Sequence, residues 1–169
     1  MTTKPNALQR LVAAAGKLPG PLRKRAVTLG FTSQVRFAGT GGVRFEVLEE
    51  GRAIALMANR GKVRNHIGGV HAAAMALLAE TCSGAVFGLS LPGDKLPLLK
   101  SMRIDYVRRA RGGLRAEASL ALPQRRALEK KERGEMVVPV KVTDADGEEP
   151  IVCHMTWAWV PKQRREEAP

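Results

Sequence analysis

Aromatic side chains and cysteines are scarce in this chain of 169 residues. Aromatic residues make up only 4% of it, which is thin for a protein that holds single-stranded nucleic acid by stacking bases on rings. The two cysteines, Cys82 and Cys153, belong to no CxxC motif or Cys/His cluster. This argues against a disulfide framework and a zinc site. We therefore expect no cofactor and a reducing, cytoplasmic location.

Long uninterrupted apolar runs are also missing. The most apolar tract, residues 65–93, contains two histidines, a glutamate and several glycines, whereas a membrane span needs about 20 mostly apolar residues. The run 11–16 is enclosed by Arg10 and Lys17 and is shorter than the apolar core of a secretion signal, about 7–15 residues. The sequence predicts a soluble protein with no secretion signal and no membrane partner.

Acidic residues are outnumbered by basic ones, with Lys+Arg 28 against Asp+Glu 16 and a formal net charge of +12. Such a surface attracts phosphate-bearing molecules at low salt. Charge alone is weak support for nucleic-acid binding, because neither a zinc finger nor an aromatic-rich RNA-binding motif accompanies it. We do not expect nucleic acid to be the partner.

The periodicity predicts one α+β domain, since 44% hydrophobic residues suffice for a single shared core. Apolar residues recur at helical spacing in residues 8–15, and a basic stretch follows at 22–29 after the break Pro19-Gly20-Pro21. These two stretches predict two short N-terminal helices within residues 1–34. From residue 37 onwards the period changes. We expect a first strand with Val43, Phe45 and Val47 on one face, paired with a second strand at 53–58.

A long helix is predicted over 69–88, apolar on nearly every side, so that other structure must wrap it. The β-rich runs that follow, 98–107, 114–122, 135–143 and 151–160, predict an antiparallel meander. Pro139 removes a backbone donor, which predicts a bulge or a sheet edge there. The charged stretch 124–134 predicts a solvated loop or a short exposed helix, and residues 162–169 a flexible tail.

Glu80 is the only Asp, Glu, Lys or Arg between Asn65 and Gly93. Burying an unpaired carboxylate in an apolar helix costs several kcal/mol or raises its pKa. Such a group is therefore either paired with a cation from elsewhere or functional. On this observation alone both interpretations stay open.

The run from Asn65 to Glu80, NHIGGVHAAAMALLAE, resembles the signature of hotdog-fold thioesterases, especially the phenylacetate-pathway type. Asn65, Gly68, His71 and Glu80 fall at the offsets of that signature, and the resemblance extends more weakly over about residues 37–160. It implies that residues 35–161 form a hotdog domain, an antiparallel sheet wrapped around a long central helix. It also implies paired subunits and hydrolysis of an acyl-coenzyme A thioester.

Three positions depart from the family pattern, the pair after His71 and the position one turn beyond Glu80. Ala72-Ala73 stand where the better-studied enzymes have Gly-Gly, the first of which gives a main-chain N–H to the thioester carbonyl; alanine still donates it, although its methyl narrows the approach. The frequent Ser/Thr one turn beyond the acid corresponds to Gly84, which leaves Ser83 or Thr81 as substitutes. A non-catalytic acyl- or coenzyme A-binding or structural hotdog protein therefore stays open. A hotdog hydratase would need a catalytic histidine beside the acid, and no such arrangement is present.

Helix geometry predicts a site shared by two subunits. The Ala72 N–H would lie in the first turn of a helix that begins near Gly69, where the helix dipole favours an oxyanion. Glu80 is eight residues farther along, about 12 Å at the helical rise. Two antiparallel helices across a two-fold axis would set Glu80 of one chain beside Ala72 and Asn65 of the other, so we expect a homodimer or homotetramer.

Within that site, Glu80 is the expected general base or nucleophile and Asn65 orients the water or the carbonyl. His71 is expected to shape the helix entry, a structural role being more common for a lone histidine. The residues expected to contact substrate are Gly68, Gly69, Ala73, Ser83 and Gly84.

A phosphate-binding rim for coenzyme A is expected around the Gly112-Gly113 turn, although an ordinary solvated turn fits equally well. The rim would consist of Arg108, Arg109, Arg111 and Arg115. Met75, Leu77, Leu78 and Phe87 are candidates for an acyl tunnel or for the core. Trp157 and Trp159 share one face of a strand and are expected in the core or an interface.

Overall fold

The computed structural model describes residues 4–162. Within them the helices are α1 (Ala7–Ala15), α2 (Gly20–Gln34), α3 (Arg36–Thr40), α4 (Ala72–Ser90) and α5 (Leu122–Lys130), with a 3₁₀ turn at Gly61–Val63. The strands are β1 (Arg44–Glu49), β2 (Arg52–Met57), β3 (Lys95–Tyr106), β4 (Leu114–Ser119), β5 (Gly134–Val138), β6 (Val140–Thr143) and β7 (Ile151–Pro161).

The seven strands form one antiparallel sheet in the order β1-β2-β4-β6-β7-β3, with β5 also paired to β7. Strands β5 and β6 occupy the run predicted as one strand. They are separated by Pro139, whose ring nitrogen has no proton to donate to a ladder. The expected irregularity at this proline is therefore present as a break in the strand.

The predicted meander is wrong for β3. This strand pairs with β7 at the edge of the sheet opposite β1, whereas β4, the next strand along the chain, pairs with β2. The reason is the long helix between β2 and β3. Because α4 packs against β2, β3, β4, β6 and β7, it carries the chain from one side of the sheet to the other.

Helix α4 is the centre of the core, and ten of its 19 residues are buried. By length and composition it could cross a membrane, but 61% of the apolar window is buried inside the fold. It begins at Ala72 and not near Gly69, because His71 caps it and Gly69 belongs to the preceding turn. Of the tunnel candidates, Met75, Leu78 and Phe87 are buried in the core.

Near the N-terminus the structure differs from the predicted pattern in two respects. Helix α2 continues to Gln34 and is followed by α3, so the strand begins at Arg44 and not near residue 37. A β-bulge between Phe45 and Val47 then shifts the alternation, so that Leu48 is buried and Val47 is not.

The N-terminal helices pack on the same core as the sheet: Ala15 and Val27 are buried, and the rings of Phe31 and Phe45 meet edge to face at 4.9 Å. The charged segment after β4 forms α5, the helical alternative. Of the expected tail, residues 163–169 lie outside the described residues. Lys162 donates its backbone N–H to the Asp94 carbonyl at 2.8 Å.

Candidate active site

The turn that leads into α4 is built by Asn65. Its Oδ1 accepts the backbone N–H groups of Ile67 at 3.1 Å and Gly69 at 3.0 Å, and its own N–H donates to the Gly69 carbonyl at 2.9 Å. Gly68 within this turn has φ +80°, a left-handed conformation that favours glycine. The Oδ1 of Asn65 is thus committed to the turn, and Nδ2 is its one polar group without a partner among residues 4–162.

The first turn of α4 offers one backbone donor. His71 is the N-cap, and its Nδ1 accepts the Ala73 N–H at 3.0 Å, so this nitrogen carries no proton and the Ala73 amide is occupied. The Ala72 N–H has no acceptor in the described part of the chain. Tyr106 fixes the same residue from the other side, since its hydroxyl donates to the Ala72 carbonyl at 2.9 Å.

Glu80 lies two turns farther along α4, half-buried and without an ion pair to any residue described by the structure. Burial raises the pKa of its carboxyl above the ordinary value, and a hydrogen bond from the Thr81 hydroxyl to Oε2, at 3.4 Å, partly opposes that rise. Within residues 4–162 of one subunit, no cation pairs with this carboxyl, so the structure offers no support for the paired interpretation. The carboxyl is poised to bind or release a proton.

A cavity of about 330 Å³ begins at Glu80. Glu80, Thr81, Gly84 and Gly88 line one side of it. Trp157 lies on the sheet side. The N-terminal segment lines the opposite side with Leu8 of α1, Phe31 and Gln34 of α2, and Val35, which follows α2. The carboxylate thus stands at one end of a largely apolar space.

The hydroxyl groups near Glu80 have different roles. Ser83 is fully buried, accepts the indole N–H of Trp157 at 3.1 Å and donates to the Glu80 carbonyl at 3.0 Å, so it does not line the cavity. At Gly84, a Cβ would lie 2.6 Å from Cη2 of the same indole. Thr81 is the one hydroxyl that reaches the carboxylate among the described residues.

The arginines expected to hold coenzyme A are largely engaged within the protein. Arg108 pairs with Asp144 at 2.8 Å, and Arg111 pairs with Asp146 at 3.3 Å. Burial would raise the pKa of Asp144, but three backbone N–H groups and Arg108 together hold it below the ordinary value. Arg109 is exposed and makes no ion pair in the span 4–162, so it is the free cation of this turn.

Neither cysteine supplies a nucleophile. Burial raises the pKa of the Cys82 thiol to about 12 and that of Cys153 to about 11. Both thiols stay protonated at neutral pH, and the thiolate is the reactive form.

One subunit therefore separates the two halves of the predicted site. Asn65, His71 and Ala72 lie at the N-terminal end of α4, with Gly68, Gly69 and Ala73 beside them. Glu80 lies about 12 Å along the axis, and Thr81 and Gly84 lie farther along it. Sequence reasoning missed Gly88 on α4 and the parts contributed from elsewhere in the chain, namely Leu8, Phe31 and Tyr106. Of the latter three, Tyr106 had a signal, because it falls in the weaker part of the family resemblance.

The comparisons with known proteins agree with this architecture. The family model "Domain of unknown function (DUF4442)" matches residues 23–160, and no curated protein matches the chain. Among solved structures, a protein of unknown function from Pseudomonas aeruginosa, described as a probable thioesterase, is 31% identical with a TM-score of 0.73, covering 86% of this chain and 97% of its own.

More distant structures share the fold. A thioesterase from Haemophilus influenzae is 14% identical, with a TM-score of 0.67 over 83% of this chain and 94% of its own. A thioesterase family protein from Silicibacter pomeroyi is 16% identical, with a TM-score of 0.65 over 80% and 96%. The hotdog fold expected from the sequence is confirmed, and the chain belongs to the DUF4442 family.

Proposed function

We propose that this protein hydrolyses acyl-coenzyme A thioesters at a site shared by two subunits, with Glu80 as general base or nucleophile. The observation that carries the proposal is a half-buried carboxylate on the lining of a largely apolar cavity, with no ion pair to any residue in the described span 4–162. Its raised pKa suits a group that must take up and release a proton. The names of the structural neighbours as thioesterases support the same reaction class.

The exposed edge of the sheet supports the assembly that the site requires. Strand β3 is twelve residues long and, within residues 4–162, pairs on one side only, with β7. Leu96, Leu98 and Met102 on this strand are 44–45% exposed. A long edge strand with free backbone donors and acceptors is a template for pairing with another chain. Pairing β3 with its copy would bring two α4 helices together, with Glu80 near Ala72 of the partner subunit.

In the reaction, the thioester carbonyl oxygen accepts the free Ala72 N–H of the partner subunit, which stabilises the charge that develops there. Glu80 takes a proton from a water whose oxygen bonds to the carbonyl carbon. The carbon–sulfur bond then breaks, and the sulfur leaves with that proton as the thiol of coenzyme A. If Glu80 attacks directly, its oxygen bonds to the carbonyl carbon and the carbon–sulfur bond breaks, which gives a mixed anhydride and the thiolate of coenzyme A. Water then hydrolyses the anhydride to free Glu80 and the acid, and the thiolate takes up a proton released from that water.

Coenzyme A would bind its phosphates at the basic surface beside the 108–111 turn. Arg109 is the exposed, unengaged cation there among the residues described, whereas Arg108 and Arg111 are held by carboxylates. Binding of free coenzyme A is expected to weaken with rising salt and on Arg109→Ala. Affinity unchanged by both would remove this surface from the proposal.

A non-catalytic acyl-coenzyme A binder is the second candidate. The observation in its favour is that the His71 ring accepts the Ala73 N–H in the first turn of α4. Among residues 4–162, the Ala72 N–H is then the one backbone donor of that turn left for a substrate carbonyl. A binder would retain affinity for acyl-coenzyme A without turning it over. The two candidates therefore differ in product formation and not in binding.

The deciding experiment compares wild type with Glu80→Gln, which keeps the side-chain size and removes the base. We expect kcat/KM for octanoyl-coenzyme A to fall about 10²–10⁴-fold, while calorimetry shows unchanged coenzyme A binding. In the wild type, kcat/KM should rise with pH through the raised pKa of Glu80. Thr81→Val removes the hydrogen bond that lowers this pKa and should move the acid limb to higher pH. Equal turnover by wild type and Glu80→Gln would eliminate the mechanism.

A further inference from the structure

The cavity continues from Glu80 along α4 to Gly88, under a roof supplied by the N-terminal helices. We propose that this space binds the acyl chain and restricts it to medium length, with Leu8, Phe31 and Gly88 as specificity-determining residues. The inference rests on the proposed thioester hydrolysis, since it assigns a substrate class to the same site.

The lining is chemically suited to a hydrocarbon. Gly84 and Gly88 leave the surface of α4 without side chains, and Trp157 lies against the sheet. Polar groups beside the space are bound elsewhere: Lys95 donates its ammonium protons to the carbonyls of Leu128 and Glu129. Lys162, the other cation in the lining, donates to the Gly93 carbonyl at 2.8 Å. Glu80 is thus the acidic group of the lining left to meet the reacting end of a ligand, and most of the acyl chain would contact apolar side chains.

Hydrogen bonds join helix α1 and its N-cap to the C-terminal end of α4. The Asn6 side chain donates to the carbonyls of Gly88 at 2.9 Å and Leu91 at 2.8 Å, and Gln9 donates to Leu89 at 2.9 Å. The last carbonyls of a helix lack the usual intrahelical donors, so these side chains supply donors at the end of α4. The Gly88 carbonyl also accepts the Leu91 N–H at 3.4 Å. Asn6 and Gln9 also form the capping box of α1. Leu8 is therefore held over the cavity by bonds on either side of it.

The dimensions set the chain length. From Glu80 to Gly88 the helix rises about 12 Å. A methylene group takes up about as much space as a water molecule, roughly 30 Å³ in the liquid, so about 330 Å³ holds about ten such groups at most. Butanoyl would leave much of the space empty, and hexadecanoyl would exceed it. Octanoyl and decanoyl chains fit.

Gly88 is the position at which the cavity can be closed. A Cβ there would lie 3.9 Å from Cδ2 of Leu8 and 4.0 Å from Cγ of Pro97, which is ordinary contact. A methyl group is therefore accommodated, whereas a leucine side chain would extend into the space and displace a chain from its far end. Leu8→Ala acts in the opposite direction, because it lengthens the cavity under the roof.

The test is a chain-length profile of kcat/KM over butanoyl-, octanoyl-, decanoyl- and hexadecanoyl-coenzyme A. Each buried methylene is worth about fourfold, so we expect wild type to prefer octanoyl over butanoyl on the order of 100-fold. Gly88→Leu should reduce that preference to below about tenfold, because octanoyl turnover falls more than butanoyl turnover. Leu8→Ala should move the optimum to longer chains.

Leu22→Ala is the matched control, since Leu22 is 55% exposed on α2 and does not line the cavity. Its profile should equal that of the wild type. If Gly88→Leu does not fold, Leu8→Ala and Phe31→Ala decide the question alone. A profile unchanged in the folded cavity variants, with wild type active, overturns the chain assignment and leaves the hydrolysis proposal intact.

If wild type hydrolyses none of the esters, the proposed hydrolysis is refuted, but the proposal that the cavity binds an acyl chain is not. Calorimetric titration of wild type with decanoate then tests the space directly. Binding that Gly88→Leu removes and Leu22→Ala retains supports it, and the absence of binding overturns it.

Discussion

Two glycines one turn apart on α4 give opposite predictions for the same substitution. In a helix interior, Gly→Ala is stabilising by roughly 0.5–1 kcal/mol, because alanine loses less backbone entropy on folding. At Gly88 the new methyl would have its nearest neighbours at 3.9 Å and 4.0 Å, so we expect that full gain. At Gly84 it would lie 2.6 Å from Cη2 and 2.7 Å from Cζ2 of Trp157.

The indole of Trp157 cannot easily move away from Gly84. Its N–H is bonded to Ser83, and its ring packs on Phe87 with centroids 5.7 Å apart. Overpacking of this kind costs about 1–3 kcal/mol. Because the entropy gain is common to both variants, the difference between Gly88→Ala and Gly84→Ala isolates this overpacking cost.

The assay is urea unfolding of both variants and wild type at one protein concentration, because an oligomer's stability depends on concentration. We expect Gly88→Ala to be the more stable of the two variants by about 1–3 kcal/mol, which corresponds to about 2–4 °C in Tm for each kcal/mol in a protein of this size. Equal stability of the two variants would refute the assignment of Trp157 as the reason for glycine at position 84.

Two further predictions concern buried carboxyls. Burial raises the pKa of Glu80, so its contribution to the free energy of unfolding is complete below the ordinary glutamate pKa and is lost as pH rises through the folded-state pKa. Urea unfolding of Glu80→Gln should therefore show a stability advantage over wild type that grows from about pH 4 to pH 8. A difference that stays constant with pH would contradict this. The pKa of Asp144 is instead lowered, so its contribution is complete above the ordinary aspartate pKa and is lost in acid. Asp144→Asn should lower the free energy of unfolding by about 1.5–3 kcal/mol at neutral pH, and this loss should narrow on acidification. A variant as stable as wild type would show that the ion pair between Asp144 and Arg108 contributes nothing to stability.

Local sequence carried the information for the helix and its entry. The turn from Asn65 to Gly69, the cap at His71 and the apolar run to Glu80 are consecutive in the chain, and each depends on neighbours within a few residues. The helix start was misplaced by three residues, because a glycine that closes a turn and a glycine that opens a helix look alike in sequence.

Long-range pairing was outside the reach of the pattern. The placement of β3 beside β7 depends on how α4 crosses the sheet, and alternation within β3 contains nothing about its neighbour. The cavity lining could not be predicted for the same reason, because Leu8 and Phe31 lie more than forty residues away in the chain from the α4 residues beside them. Their spacing predicts helices but not the surface on which those helices pack.

The absence of a hydroxyl at position 84 looked from the sequence like a sign of lost catalysis. In the structure it follows from packing, because the Trp157 indole occupies the space that a serine or threonine Cβ would need. The same indole takes the Ser83 hydroxyl as its acceptor, which leaves Thr81 to hydrogen-bond the carboxylate. The missing hydroxyl at Gly84 therefore favours neither a thioesterase nor a non-catalytic binder. The choice between them depends on the Ala72 amide, which has no acceptor among residues 4–162, and a kcat measured with Glu80 intact can decide it.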